Sequence, residues 1–143
     1  MEVLSTSTQE TKELAEKVAK KLNPGAVLAL YGDLGSGKTT FVRFLVEALG
    51  LSARVQSPTF VLVRRYEGGL GVIKYVNHVD LYRLISKEEV LDLGLPEFFA
   101  EEGAVTVIEW PKLAEDLLPK NVVRVYFKYV EEGQRRINVQ NIH

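Results

Sequence analysis

The 143-residue sequence contains no cysteine. Disulfides, thiol catalysis and cysteine-ligated metals are therefore excluded, and the absence fits a reducing compartment. Neither sign of charge is in excess: 18 Lys and Arg stand against 19 Asp and Glu, for a net charge of −1. Domains that hold nucleic acid by bulk electrostatics carry a basic surplus, so only a local basic patch remains open. No apolar run approaches the roughly 18 residues needed to span a bilayer. Met1 to Lys12 is polar with two glutamates, unlike a signal peptide. The expectation is a soluble cytoplasmic chain without membrane contact. What remains is ordinary globular material, 46% hydrophobic and 26% charged. The length suits one domain, residues 1–143, with a core that needs no staples.

Hydrophobic rhythm divides the chain into helices and strands. Ser7-Thr8-Gln9-Glu10 opens a first helix with a capping-box pattern, and Leu14, Ala15, Val18, Ala19 and Leu22 follow at helical spacing. Asn23-Pro24-Gly25 ends it. Val27 to Tyr31 is a continuous apolar run, as in a strand buried on both faces. Thr39 to Leu49 predicts a helix, with Gly50 just past its end. Phe60–Glu67 and Val72–Asp80, joined by a glycine-rich turn, predict a hairpin. Short helices are expected at Ser86–Leu91 and Leu95–Ala100, a strand at Ala104–Glu109, and a helix at Pro111–Leu118 with proline first. Val122–Val130 and Gln134–Val139 form a last hairpin. Alternating strands and helices with added hairpins predict an α/β fold.

Gly32-Asp33-Leu34-Gly35-Ser36-Gly37-Lys38-Thr39 fits the phosphate-loop pattern G-x-x-x-x-G-K-[ST] without a mismatch. It lies between a buried strand and a helix, where the chemistry requires it. Gly35, Ser36 and Gly37 let the backbone wrap so that successive N–H groups face phosphate oxygens, and the helix start at Thr39 and Thr40 adds partial positive charge. Lys38 is expected at the β- and γ-phosphates, and the Thr39 hydroxyl on Mg²⁺. A nucleotide with Mg²⁺ is the implied ligand. The fold class becomes a P-loop NTPase-like three-layer α/β fold, its sheet mixed and mostly parallel with antiparallel hairpin strands.

Strand direction selects further candidates. Ligands of open α/β sheets sit at the carboxyl ends of parallel strands. If the 72–80 and 104–109 strands run parallel to 27–31, Asp80, Glu109 and Trp110 reach that edge. Ser57-Pro58-Thr59 and the arginines Arg135 and Arg136 of the last hairpin then lie there too. A hydrolase needs a carboxylate for Mg²⁺ and a group that orients water. Asp80 is assigned to the Mg²⁺ shell, through water, and Glu109 to water activation or to the same shell, with the two roles exchangeable at the level of sequence. Thr59 is either a sensor of the γ-phosphate or a turn residue after Pro58. Trp110, the only tryptophan, either stacks on a base or partner or anchors the core. His78 is read as structural, and Arg43, Arg64, Arg65 and Arg83 as either a basic face or scattered solvated charges.

Three classes of function fit a phosphate loop. A small-molecule kinase needs a lid, and only 34 residues follow Glu109. A regulatory GTPase needs N-K-x-D, and Asn77-His78-Val79-Asp80 lacks the lysine. An ATPase module that drives a partner assembly meets neither objection. Gly32 to Phe41, Ser57-Pro58-Thr59-Phe60, His78-Val79-Asp80-Leu81-Tyr82-Arg83-Leu84 and Ile108-Glu109-Trp110-Pro111 occur in an order and spacing that resembles the bacterial TsaE family, formerly YjeE. The resemblance covers nearly the whole chain. It implies an ATPase, slow alone, that works with the proteins TsaD and TsaB to make the threonylcarbamoyl modification on the adenosine beside the anticodon, so that tRNA is an indirect partner. The ATP cycle would reset the complex between turnovers. The resemblance carries over residue by residue: the phosphate loop to Gly32–Thr39, the Walker-B-like aspartate to Asp80, the essential glutamate to Glu109 and the tryptophan near the nucleotide to Trp110. It further implies Thr11 near the base, and Arg135 or Arg136 as an arginine of the last hairpin. Val79, where many relatives have an aromatic, and the Arg64-Arg65 pair are small departures.

Overall fold

A computed structural model describes residues 1–53, 63–69 and 71–143. Ser57-Pro58-Thr59-Phe60 lies outside the described residues. The described strands form one sheet in the order β1-β8-β7-β2-β6-β5-β4-β3. In chain order these are β1 Glu2–Ser5, β2 Val27–Tyr31, β3 Ser52–Ala53, β4 Val63–Glu67, β5 Tyr75–Asp80, β6 Ala104–Glu109, β7 Val123–Glu131 and β8 Gln134–Gln140. The helices are α1 Thr8–Lys21, α2 Lys38–Ala48, α3 Lys87–Leu93 and α4 Leu95–Ala100, and Pro111–Leu117 is a 3₁₀ helix rather than an α-helix. β7, β2, β6 and β5 run parallel, and each flank adds antiparallel strands. By direction six of the eight described strands point one way, with β8 and β4 opposed. The fold is a mixed α/β fold with one mixed, mostly parallel sheet, as expected.

Alternation along the central strands fills both faces of the sheet. Leu28, Leu30, Val76, Val105 and Val107 face one core with α1 and α2, built on Leu14, Val18, Phe41 and Leu45. Val27, Ala29, Val79 and Ile108 face the other, with Val90 of α3, Leu95 of α4 and Ala114 of the 3₁₀ helix. The result is helix–sheet–helix layering. Phe41 is fully buried and meets Phe127 edge-on at 5.5 Å. Truncating so large a side chain costs about 3–5 kcal/mol.

Several local expectations change. Polar-looking Glu2–Ser5 is a strand, because β8 supplies an antiparallel partner from Glu2↔Asn138 to Ser5↔Arg135. Ser7 caps α1 by accepting from the Glu10 N–H at 3.2 Å, but the Glu10 carboxylate turns to Thr6 and not to the Ser7 N–H, so only half of the capping box forms. The strand expected from Val72 begins at Tyr75. Arg64 and Arg65 do not share a face, since neighbouring strand residues point to opposite sides of a sheet. Arg65 is spent on Glu101 in a two-pronged contact of 2.8 and 2.9 Å, with Asn77 bonded to both. Arg43, Arg64 and Arg83 are exposed.

Candidate active site

The loop from β2 to α2 is shaped by two glycines. A Cβ at Gly32 would lie 2.7 Å from the Phe127 carbonyl oxygen and 2.7 Å from Ser36 Oγ. Gly37, with φ of 101°, is the N-cap of α2 and offers no side-chain cap. The N–H groups of Lys38, Thr39 and Thr40 have no partner within the helix, whose positive end they form. Ser36 is buried, and its Oγ has no hydrogen-bond partner among the described residues. Buried hydroxyls without partners are rare in folded proteins. An uncapped helix start beside an orphan hydroxyl is a donor set that fits an oxyanion such as phosphate.

Lys38 is 4% exposed. Its Nζ donates to the Gly32 carbonyl oxygen and stands 3.5 Å from the centroid of the Trp110 ring. Burial pushes its pKa down, and the nearby Glu109, Asp80 and Asp33 carboxylates oppose that shift. Trp110 also meets Tyr82, with ring centroids 4.9 Å apart. It holds this place in the left-handed region, φ 57° and ψ 56°, which a bulky residue rarely adopts.

The acidic wall follows from register. β5 and β6 are parallel with Asp80↔Glu109 and His78↔Val107 as partners. Residues two apart share a face. Val76 and Val107 face the α1–α2 core, so His78, Asp80 and Glu109 point to the same side as α2. Glu109 is buried, and its Oε2 lies 2.5 Å from His78 Nε2. Asp80 Oδ1 accepts from the Tyr82 N–H at 2.9 Å. Gly35, Gly37, Lys38, Thr39 and Thr40 line a cavity of about 340 Å³ together with Asp80, Glu109, Trp110 and Arg135. Among the described residues no group of three or more His, Asp or Glu is arranged to hold a metal ion. The carboxylates of Asp80 and Glu109 and the hydroxyl of Thr39 on the cavity wall are oxygen donors of the type that fits Mg²⁺, which takes one or two carboxylates beside water and substrate phosphate.

Of the two hairpin arginines, Arg135 lines this cavity and its guanidinium lies over Gly37. Arg136 is exposed and stands opposite Lys128 and Leu4 in the sheet. Thr11 is not on the cavity wall. It is buried, with its hydroxyl 2.7 Å from Ser5 Oγ, and Ser5 is the register partner of Arg135. His78, read from the sequence as structural, touches Glu109. The spacing His78-x-Asp80 in a strand was the available signal, since it puts both side chains on one face.

Among the described residues no helix is long and apolar enough to cross a membrane. Comparison with known proteins gives one consistent picture. The family model for "Threonylcarbamoyl adenosine biosynthesis protein TsaE" matches residues 5–137. The TsaE protein of Bacillus subtilis is 38% identical over 133 residues, covering 93% of this chain and 80% of that protein. That of Rickettsia bellii is 38% identical over 141 residues, covering 98% and 94%. The crystal structure of Bacillus subtilis YdiB superposes with a TM-score of 0.75 at 32% identity, covering 96% of this chain and 82% of that one. Over nearly its whole length the chain matches both the family model and these relatives, and it belongs to the TsaE family.

Proposed function

We propose that this chain is a Mg²⁺-dependent ATPase of tRNA threonylcarbamoyladenosine biosynthesis, with a P-loop NTPase-like fold, working in the cytoplasm beside TsaD and TsaB. The observation that carries the ATPase reading is the meeting of Lys38, Thr39, Asp80, Glu109 and Arg135 around one cavity at the glycine loop. The printed names of the relatives support the biosynthetic role.

Each residue then has a physical task. The loop N–H groups and Ser36 Oγ bind phosphate oxygens. Lys38 and Arg135 place positive charge on the β- and γ-phosphates, in a site that is largely dry at Lys38. Thr39 and Asp80 would hold Mg²⁺, and the ion would supply charge neutralisation at the phosphates. Glu109 orients the attacking water and accepts its hydrogen bond. Trp110 lies against the Lys38 ammonium and keeps water from it. Thr11, near the base by resemblance, is bonded to Ser5, the register partner of Arg135. The isolated chain hydrolyses ATP slowly, and its cycle serves the partner assembly, with tRNA an indirect beneficiary. Tyr82, which meets the Trp110 ring, and its neighbour Arg83 are exposed and belong to the partner-facing edge.

The test is a titration of ATP, ADP and GTP into wild type and Lys38→Ala, followed by hydrolysis assays with and without TsaB and TsaD. The expected result is adenine preference, loss of ATP binding in Lys38→Ala, and stimulation of hydrolysis by the partners. Tighter binding of GTP than ATP would overturn the reading.

A further inference from the structure

We infer that His78 is a positioning residue for Glu109, holding one carboxylate oxygen so that the other is presented to the cavity. The inference rests on the ATPase reading of the site, and it adds a residue to which that reading gives no role.

The geometry is local and closed. His78 Nε2 lies 2.5 Å from Glu109 Oε2, and the two side chains are 11% and 6% exposed. The contact is a diagonal one between adjacent parallel strands. His78 is the register partner of Val107, and Glu109 lies two residues further along β6 on the same face. Glu109 lines the cavity and His78 does not. The positioning role requires the imidazole to donate through Nε2 to the carboxyl oxygen. The Tyr66 ring lies beyond the imidazole, with centroids 6.5 Å apart and planes inclined by 26°. A carboxylate on a strand end has two free torsions before its head group. Fixing one oxygen leaves the other aimed at one place, and catalysis by an oriented water is sensitive to errors of about 1 Å. A carboxyl–imidazole contact of this kind has the form of an outer-shell orienting bond, the type that holds functional groups in other sites.

The alternative is that His78 merely satisfies a buried carboxylate and contributes to folding. The two roles separate kinetically. His78→Leu removes the donor and keeps an apolar side chain against Tyr66. His78→Gln keeps an N–H at similar reach. Turnover of ATP in the presence of the partner proteins is expected to fall at least tenfold in His78→Leu, with ATP affinity within about twofold of wild type. His78→Gln is expected to recover most of the rate. In a Glu109→Ala background, adding His78→Leu is expected to change nothing further, because a residue that acts through another loses its effect with it.

The contact itself is tested without any activity. The chain has two histidines, His78 and His143, so the imidazole ¹⁵N spectrum is readily assigned. His78 is expected as the Nε2-protonated form, with its signals shifted in Glu109→Ala. Identical His78 signals in wild type and Glu109→Ala would overturn the contact. Wild-type turnover in His78→Leu, or a further loss when it is added to Glu109→Ala, would overturn the positioning role. Wild-type turnover in Glu109→Ala alone would instead defeat the assignment of Glu109, which the imidazole spectrum distinguishes from failure of the contact. Should His78→Leu not fold, the spectrum and the Gln variant decide.

Discussion

The guanidinium of Arg135 lies directly over Gly37: a Cβ built at position 37 would collide with Arg135 Nη1 and stand 2.9 Å from its Cδ. A residue of the last hairpin thus completes the glycine loop, nearly one hundred positions earlier in the chain. Gly37→Ala meets two costs. Its φ of 101° is strained for any side chain, at roughly 1–2 kcal/mol. Arg135 must also swing away. The expected outcome is a drop of that size in unfolding free energy by denaturant titration, and a loss of ATP affinity of at least about tenfold by calorimetry.

Removing either acidic residue should separate binding from turnover. The loop N–H groups survive Asp80→Ala and Glu109→Ala, so nucleotide affinity should change little. Mg²⁺ placement and water orientation act mainly in the transition state, so hydrolysis should fall by a factor on the order of 10² or more in each variant. Single-turnover hydrolysis beside equilibrium titration checks both halves.

Trp110 gives an optical readout of Lys38. It is the only tryptophan, and the Lys38 ammonium lies 3.5 Å from its ring centroid. Lys38→Ala should change the emission of the free protein, and ATP with Mg²⁺ should change that of wild type by drawing the ammonium toward phosphate. Emission unaltered by both would show that the ring and the ammonium do not report on each other.

The partner-facing edge should respond to nucleotide. Affinity for TsaB and TsaD is expected to differ between an ATP analogue, ADP and no nucleotide. Arg83→Ala and Trp110→Ala are expected to weaken it, Trp and Arg being frequent interface anchors. Surface plasmon resonance with the three proteins in each nucleotide state measures this.

The far side of the sheet sets an acid limit on stability. Hydrogen bonds from Arg65 hold the Glu101 carboxyl below its ordinary value of 4.5, against the opposing effect of burial, and Asn77 adds to the lowering. A carboxyl whose pKa is lower in the folded state stabilises above its unfolded value and loses that contribution as pH falls through the folded one. Glu101→Gln should therefore cost on the order of 1 kcal/mol at pH 7, with part of the charge still solvent-screened. The difference from wild type should shrink steadily below about pH 4.5. Urea titrations of both proteins from pH 7 to pH 3 follow it.

Much of the site could be read from the sequence because its geometry is periodic. The glycine pattern between an apolar run and a helix identifies the loop. Strand ends at Asp80 and Glu109 follow once direction is assumed, and the parallel ladders of β5, β6 and β2 have that direction. What escaped depends on partners distant in sequence. Glu2–Ser5 is a strand only because β8 is there to pair with it. The choice between Arg135 and Arg136 turns on hairpin register, which decides the face for each neighbour. Pro111–Leu117 tightens to a 3₁₀ helix where proline and a left-handed Trp110 start it. His78 looked inert because a single histidine has no visible ligand set, while its partner was on another strand.

The backbone at Trp110 has a consequence for how this chain can vary. With φ of 57°, the position would suit glycine or asparagine on conformational grounds alone. Such a replacement relaxes the turn into the 3₁₀ helix but removes the ring from Lys38 and Tyr82. The ring also packs against the cluster around Val79, Val90 and Leu95, so truncating it costs about 3–5 kcal/mol, more than the roughly 1–2 kcal/mol of strain relieved. The left-handed turn is thus maintained by the contacts of the side chain that strains it, and position 110 does not drift toward glycine under selection for heat resistance.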